Sequence, residues 1–598
     1  MKKFFLNALS SFVGAWVAIV LAGIVTVLLV FALAQGAFGG PGVSLGKNTV
    51  LEVKLSGALL ERDNQVGLGA LDLFNGDLFA SQSVETLVMA IREAKTNDLI
   101  DAIYLDCGIV SAAPASLYAI REALLDFKSS KKKIYAYGDV YSQGAYFVAS
   151  VADEMSLNPS GSVSFQGLGG QTLFYKGLFD KIGLEFQVVR VGKGKAAVEP
   201  YTVDTMSMVA RTQSRQMMDT LWKQMRSCIA EVRPAITPAA VDSLINVEYI
   251  SEKPAEFVLE SKLVDRLEYR HSFEERIAKA AGQDKKLEKR ISPQQFVAIA
   301  SPGNDTSVKN QVAVLYACGA IDDVMGEAGI NSSQLVDNIL SLAENDEVKA
   351  LVLRVNSPGG SAFGSEQIWE ALQTFKKTGR PLIVSMGDYA ASGGYYISCG
   401  ADRIFANPFT ITGSIGIFGL IPNVEGLMHK LGVNVEMVAT NPAGQFPTGL
   451  TPLTGDQMAA MQSMVENGYQ LFVKRCAEGR KVSTAKIEEI ADGRPLPAVM
   501  AKNYGLVDEL GTLQDAVAYA AKQAKLKDYN TVAYPAIEMS IFRLISDMQM
   551  NASRSVSIAK LLMSGDVSKY ASAAQTIIDN LRTSYPLRAE TIHFKFSL

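Results

Sequence analysis

The chain repeats itself. Leu87-Val88, Asn97-Asp98 and the apolar run AIYL from Ala102 return as Leu335-Val336, Asn345-Asp346 and ALVL from Ala350, 248 residues later. YGDVYSQGAYFVASVAD, from Tyr137, returns as MGDYAASGGYYISCGAD, from Met386, at a spacing of 249. LFDKIGLEFQVVRV, from Leu178, returns as LMHKLGVNVEMVAT, from Leu427, at that same 249. Three matches in order at nearly constant spacing mean a duplicated domain, so most of the chain has to be two copies of one fold. The expected boundaries are 48–300 for the first copy and 308–540 for the second.

Each copy alternates strand and helix patterns. In the second, Leu335, Val336, Ile339, Leu340 and Leu342-Ala343 share one helical face. VKALVLRVNS is then a short apolar strand ending in a Pro-Gly-Gly turn. The helix GSEQIWEALQTFKKTG and the strand PLIVSM follow. Strands of four to six residues separated by helices of ten or more read as βαβ units on a largely parallel sheet, an α/β fold.

Residues outside the copies carry a different signal. No residue between Lys3 and Lys47 is charged, and Phe12 to Leu33 is an aliphatic run of 22 residues. At ~1.5 Å per residue it reaches ~33 Å, enough for a hydrocarbon core of ~30 Å. Lys2 and Lys3 precede it, so the N-terminus (residues 1–40) is expected to be a membrane anchor with its start in the cytoplasm and the copies exported. Ala32-Leu33-Ala34 resembles a signal-peptide cleavage site, but the run exceeds the ~7–15 apolar residues of a cleavable segment. Residues 541–598 have no counterpart in the first copy and read as a helical extension.

Charge and rare residues narrow the chemistry. Lys plus Arg number 57 and Asp plus Glu 61, a net charge of −4, which argues against nucleic acid as a partner. The nearest cysteines, Cys399 and Cys476, are 77 residues apart, so no zinc or CxxC redox spacing exists. No metal or other cofactor is expected. The histidines are His271, His429 and His593, the first two beside charged residues that mark a solvated face.

The informative positions are those at which the copies differ. Ser392 lies in AASGG after the strand PLIVSM, where small neighbours admit a substrate backbone and Gly393 offers an unshielded N–H at a helix start. The first copy has Gln143 in place of Ser392 and Ala145 in place of Gly394. The second Gly-rich turn, Asn356-Ser357-Pro358-Gly359-Gly360-Ser361, aligns with Gly108-Ile109-Val110-Ser111-Ala112 of the first copy, which has no paired glycines. A serine nucleophile needs a base, and with histidine scarce the candidate is a lysine whose amine is desolvated. Lys195 follows FQVVRVGKG and precedes AAVEP, among small and apolar residues, and its counterpart in the second copy is Gly444. Lys193 is its nearest competitor, and a solvated loop lysine fits the same pattern equally well.

Taken together, VNSPGGS, SMGDYAASGGYYIS, ANPFTITGSIGIFG and RVGKGKAAVEPYT resemble the long, tandem-domain form of the bacterial signal peptide peptidase A family. Its members are membrane-anchored serine proteases with a Ser–Lys dyad, related to the Clp protease subunit and the crotonase-like fold. The resemblance implies two tandem Clp/crotonase-like βαβ-spiral domains after one transmembrane helix. It implies Ser392 as nucleophile, Lys195 as general base, the Gly360 and Gly393 N–H groups as oxyanion donors, and Ser414 as a residue that helps hold the lysine. It further implies a homotetramer on the extracytoplasmic, periplasmic side of the bacterial inner membrane, acting on remnant signal peptides and other apolar extended peptides. Gly194 departs from the family pattern, which has a bulkier residue there. Two other function classes share parts of this pattern: a crotonase-type acyl-CoA enzyme and a non-catalytic membrane-bound scaffold.

Overall fold

Strands that are apolar along their whole length have to be covered on both faces, and the fold does this twice. The computed structural model describes residues 45–62, 82–300, 307–322, 329–441, 444 and 448–535, together with the backbone of 588–590. The expected anchor at 12–33 and nearly all of 541–598 lie outside the described residues. Among those described, no helix is long and apolar enough to cross a membrane.

In the first half, β1 (Thr49–Leu60), β2 (Ile100–Ser111), β3 (Lys133–Tyr141) and β4 (Glu154–Val163) pair in that order, all parallel. Between them run α1 (Val84–Thr96), α2 (Pro114–Phe127) and α3 (Gln143–Ala149). Leu87 and Ile91 of α1 and Leu117 and Leu124 of α2 pack with Leu51, Val53, Ile103 and Leu105 in one core. A further strand, β5 (Glu185–Val191), leaves this sheet altogether.

The second half repeats the plan with β6 (Gln311–Cys318), α4 (Ser332–Glu344), β7 (Val348–Ser357), α5 (Ala362–Lys377), β8 (Leu382–Ala391), α6 (Gly393–Ser398) and β9 (Arg403–Ala406). Strands β6, β7, β8 and β9 are parallel neighbours in that order. Leu335, Ile339 and Leu342 bury the predicted face of α4, whose N-cap Asn331 side chain accepts from the Gln334 N–H. The apolar run of β7 is buried from Ala350 to Val355, and truncating a residue such as Leu353 to alanine costs about 2–5 kcal/mol. Strand β8 continues well past PLIVSM, because Tyr389, Ala390 and Ala391 find a second partner in β10 (Ile411–Gly413).

One sheet joins the halves. β5 runs antiparallel to β11 (Ile417–Asn423), from Ile417 opposite Val191 to Asn423 opposite Glu185. Here the duplication breaks: the segments that correspond to these strands, 434–440 and 168–174, form no strand. NVEMVAT resembles EFQVVRV whereas LGGQTLF does not resemble IFGLIPN, and neither 434–440 nor 168–174 finds a partner strand among the described residues, which a two-edged ribbon needs to satisfy its backbone groups.

Candidate active site

Strand β8 delivers Ser392 to the start of α6 in a strained conformation. Its φ of 56° and ψ of −117° lie outside the usual regions for a residue with a side chain, at a cost of about 1–3 kcal/mol. The Ser392 N–H donates to Gly413 O at 2.8 Å, which fixes the turn from below. Unlike the other serines that begin helices here, Ser392 does not spend its hydroxyl on a cap. Its Oγ therefore points across the turn, as a sharp strand-to-helix elbow allows.

Lys195 arrives from the other half. After β5, Gly192 and Gly194 press the chain against residues 492–494: the Gly194 N–H donates to Asp492 O at 2.7 Å. A Cβ on Gly194 would stand 2.6 Å from Gln213 Nε2, 3.0 Å from Asp492 O and 3.1 Å from Arg494 N, so a bulkier residue there would have to displace these neighbours. The same packing separates the two candidate lysines, leaving Lys193 exposed and Lys195 only 1% exposed. Lys195 Nζ lies 2.7 Å from the Oγ of Ser392, a fully buried residue. It is also 3.0 Å from Ser414 Oγ and 3.0 Å from Ser414 O.

These three contacts can be sorted by who donates. Ser414 Oγ donates its own proton to Gly493 O at 3.0 Å, so toward Lys195 it can only accept, and a carbonyl oxygen always accepts. A neutral amine has two N–H bonds and one lone pair. The two N–H bonds fit the two Ser414 oxygens, which leaves the lone pair facing the Ser392 hydroxyl.

The glycine turns meet beside this pair. A Cβ on Gly393 would lie 3.2 Å from Gly360 N and 2.7 Å from Ser365 Oγ, so the N–H groups of Gly360 and Gly393 sit on one small patch next to Ser392. Gly359 and Gly360 have φ of 111° and 150°, conformations that only glycine adopts without strain. The histidines stand elsewhere: His271 and His429 are exposed, and His593 lies outside the described residues. Among the described residues no group of three His, Cys, Asp or Glu is arranged to hold a metal ion.

A brace supports the two turns from behind. Asn356, four residues before Gly360, donates to Asp388 Oδ2 and to Glu61 Oε2, each at 3.0 Å, and accepts from the Tyr389 N–H at 3.1 Å. Asp388, four residues before Ser392, accepts from Ser116 N at 2.8 Å and Ser116 Oγ at 2.8 Å. Glu61 also pairs with buried Arg354 at 2.6 Å. Burial, and then the nearby Glu61 carboxylate, push the Asp388 carboxyl up from its ordinary value. Glu61 and Ser116 belong to the first half, so that half reaches the site at both ends. Sequence reasoning did not find Asp388, Asn356, Glu61 or Gly493. Glu61 is 293 residues from Arg354, and no local pattern reports such a contact.

The chain matches the model of peptidase family S49 over residues 126–284 and again over 374–527. The Clp protease model matches residues 311–410. Protease 4 of Salmonella typhi is 34% identical over 85% of this chain and 83% of its own length. The chloroplastic serine protease SPPA of Arabidopsis thaliana is 28% identical over 82% of this chain and 71% of its own. Among solved structures, a point mutant of ClpP1 from Listeria monocytogenes is 16% identical and covers 35% of this chain and 95% of its own, with a TM-score of 0.24.

Proposed function

The chain belongs to peptidase family S49 and is a serine peptidase, and from that premise we propose that it cuts extended peptides with Ser392 as nucleophile and Lys195 as general base. The observation that carries this reading is the buried 2.7 Å contact between Lys195 Nζ and Ser392 Oγ, made within one chain between its two halves. Lys195 takes the Ser392 proton as Oγ attacks the scissile carbonyl. Ser414 orients the amine through its two oxygens. The Gly360 and Gly393 N–H groups receive the oxyanion, an interaction whose loss costs about 2.7–4 kcal/mol per donor. The Lys195 ammonium then protonates the leaving amine, and water hydrolyses the acyl-enzyme. The substrate backbone lies as an added strand between Gly359–Ser361 and β11.

The substrates in this reading are remnant signal peptides and other apolar extended peptides, met at the bilayer into which Phe12–Leu33 anchors the chain. The folded halves stand on the periplasmic side of a bacterial inner membrane. The chain assembles as a homotetramer, and the broken repeat supports this. Segment 434–440 of one copy has the sequence pattern of β5, so the pairing that β5 makes with β11 within the chain can recur between chains.

A fluorophosphonate probe tests the site directly. It is expected to label Ser392, as read by peptide mapping, and Lys195→Ala is expected to abolish the label while leaving the thermal transition in place. A label on another serine, or equal labelling of the Lys195 variant, would refute the assignment.

A further inference from the structure

Ser414 and the loop that carries Lys195 both lean on one three-residue turn, Asp492-Gly493-Arg494. Its backbone accepts twice from Ser414, at Gly493 O from the hydroxyl (3.0 Å) and at Arg494 O from the N–H (2.9 Å). It accepts once from the lysine loop, at Asp492 O from the Gly194 N–H. Ser414 has a φ of 53°, in the left-handed region, so these bonds hold a backbone that serine does not adopt by default. The apex of the turn lies against the lysine: a Cβ on Gly493, whose φ is 91°, would stand 2.8 Å from Lys195 Cβ. The turn is tied down at both ends. Tyr469 OH donates to Ala491 O at 2.9 Å, and Pro495–Pro497 runs antiparallel to β10, with Pro495 opposite Gly413.

A side chain closes this turn. Asp492 Oδ1 accepts from the Arg494 N–H at 3.1 Å and from Arg494 Nε at 2.9 Å, so the carboxylate bonds the backbone two residues further along its own chain. It is partly exposed and spends these bonds on Arg494. The first copy is built differently here. With Pro254-Ala255 and Leu263-Val264-Asp265 set against Pro497-Ala498 and Leu506-Val507-Asp508, the counterpart of the turn is Tyr249-Ile250-Ser251. It has neither the glycine nor the carboxylate. Its Ser251 hydroxyl bonds both the N–H and the carbonyl of Phe165, the counterpart of Ser414.

We propose that Asp492 is a positioning residue for the dyad: by closing this turn it holds Gly493 O where it receives the Ser414 proton, which leaves the Lys195 lone pair to Ser392. The inference rests on the peptidase reading above. A hydroxyl has one proton to give. Aimed at Gly493 O, that proton makes Ser414 an acceptor toward Lys195. With the carbonyl turned away, the same proton goes to the Lys195 nitrogen and competes with the Ser392 hydroxyl for its lone pair. Asp492 therefore acts through Gly493 and Ser414 and not on the reacting atoms.

The test measures hydrolysis of an apolar fluorogenic peptide and the rate of fluorophosphonate labelling, with the full chain in detergent. Asp492→Ala is expected to lower kcat and the labelling rate on the order of tenfold, as for one lost hydrogen bond, with KM within about twofold. Asp492→Asn keeps an oxygen acceptor in the turn and should stay within about threefold of wild type, whereas Asp492→Glu keeps the charge, displaces the oxygen and should resemble Asp492→Ala. In a Ser414→Ala background, which has no hydroxyl to aim, Asp492→Ala should cost less than about threefold more. Wild-type rates in Asp492→Ala, a change confined to KM, or full additivity with Ser414→Ala overturns the proposal. So does Asp492→Glu working as wild type while Asp492→Asn is slow. Should Asp492→Ala not fold, the Asn and Glu variants decide the same question. A wild-type chain that neither cuts the peptide nor takes the label at Ser392 refutes the peptidase reading and this inference with it.

Discussion

The turn at Ser392 and its counterpart at Gln143 have a common ancestry and opposite uses. In the first half, Ser142 sits at φ −64° and caps α3 by accepting from the Ala145 N–H. Gln143 follows and spends its amide on a loop, accepting from Gln166 N and Gly167 N and donating to Gly167 O. The turn is relaxed and its polar atoms are used up. In the second half, the equivalent turn is strained and its hydroxyl meets the amine sent across from the first half. The lysine is divided in the same way: Lys195 is buried, whereas its counterpart position holds Gly444. Duplication therefore produced one half with a strained serine turn and another with a relaxed turn that sends a buried lysine to that serine. A single polypeptide needs both to complete one site.

That division can be broken from either side. Ser392→Ala and Lys195→Ala are each expected to lower kcat for peptide hydrolysis about 10⁴-fold or more, and the double variant no further than the worse single one. An additive double variant would mean that the two groups do not act together. Ser414→Ala removes one of the oxygens that orient the amine and is expected to lower kcat about 10–100-fold with KM little changed, consistent with a lost hydrogen bond of about 1–3 kcal/mol. A change confined to KM would place Ser414 in substrate binding instead.

The brace sharpens the comparison, because there the first half acts on the second without touching the reacting atoms. Asp388→Ala is expected to lower kcat about tenfold. Its effect on stability carries a sign. The folded carboxyl of Asp388 is raised above an unfolded value near ~3.9. Its stabilising share is thus complete below that value and is lost as pH rises through the folded one. The Tm advantage of wild type over Asp388→Ala should therefore shrink as pH rises above ~3.9, by differential scanning calorimetry; an advantage that grows would reverse the assignment. The smallest effect belongs to the relaxed turn. Gln143→Ser should leave fluorophosphonate labelling within twofold and add no second labelled serine, since no lysine occupies its partner position, Gly444.

Much of the fold was legible because the duplication prints the same strands and helices twice. The predicted face of α4 is buried through Leu335, Ile339 and Leu342, and β7 ends at the Pro-Gly-Gly turn as its sequence demands. The repeat misled where strands depend on a partner. VNVEMVAT, from Val433, looks like EFQVVRV, from Glu185, yet only the latter forms a strand, because only it meets β11. At the site, the contrast between Ser392 and Gln143 was readable from two aligned lines of sequence. The choice between Lys193 and Lys195 was not, since alternate residues of a loop carry no periodicity that says which one faces inward.

The sequence by itself determined that there are two related α/β halves, that the later one carries a serine turn among glycines, and that the earlier one carries an amine where its twin has none. These follow from local composition and from comparing the copies. Only the tertiary structure decided which amine is buried, that its partner lies in the same chain 197 residues away, and that Glu61 and Ser116 steady the turns from behind. Contacts of that range depend on how β5 and β11 bring the halves together, and the docking of two folded surfaces leaves no periodic trace in either of them.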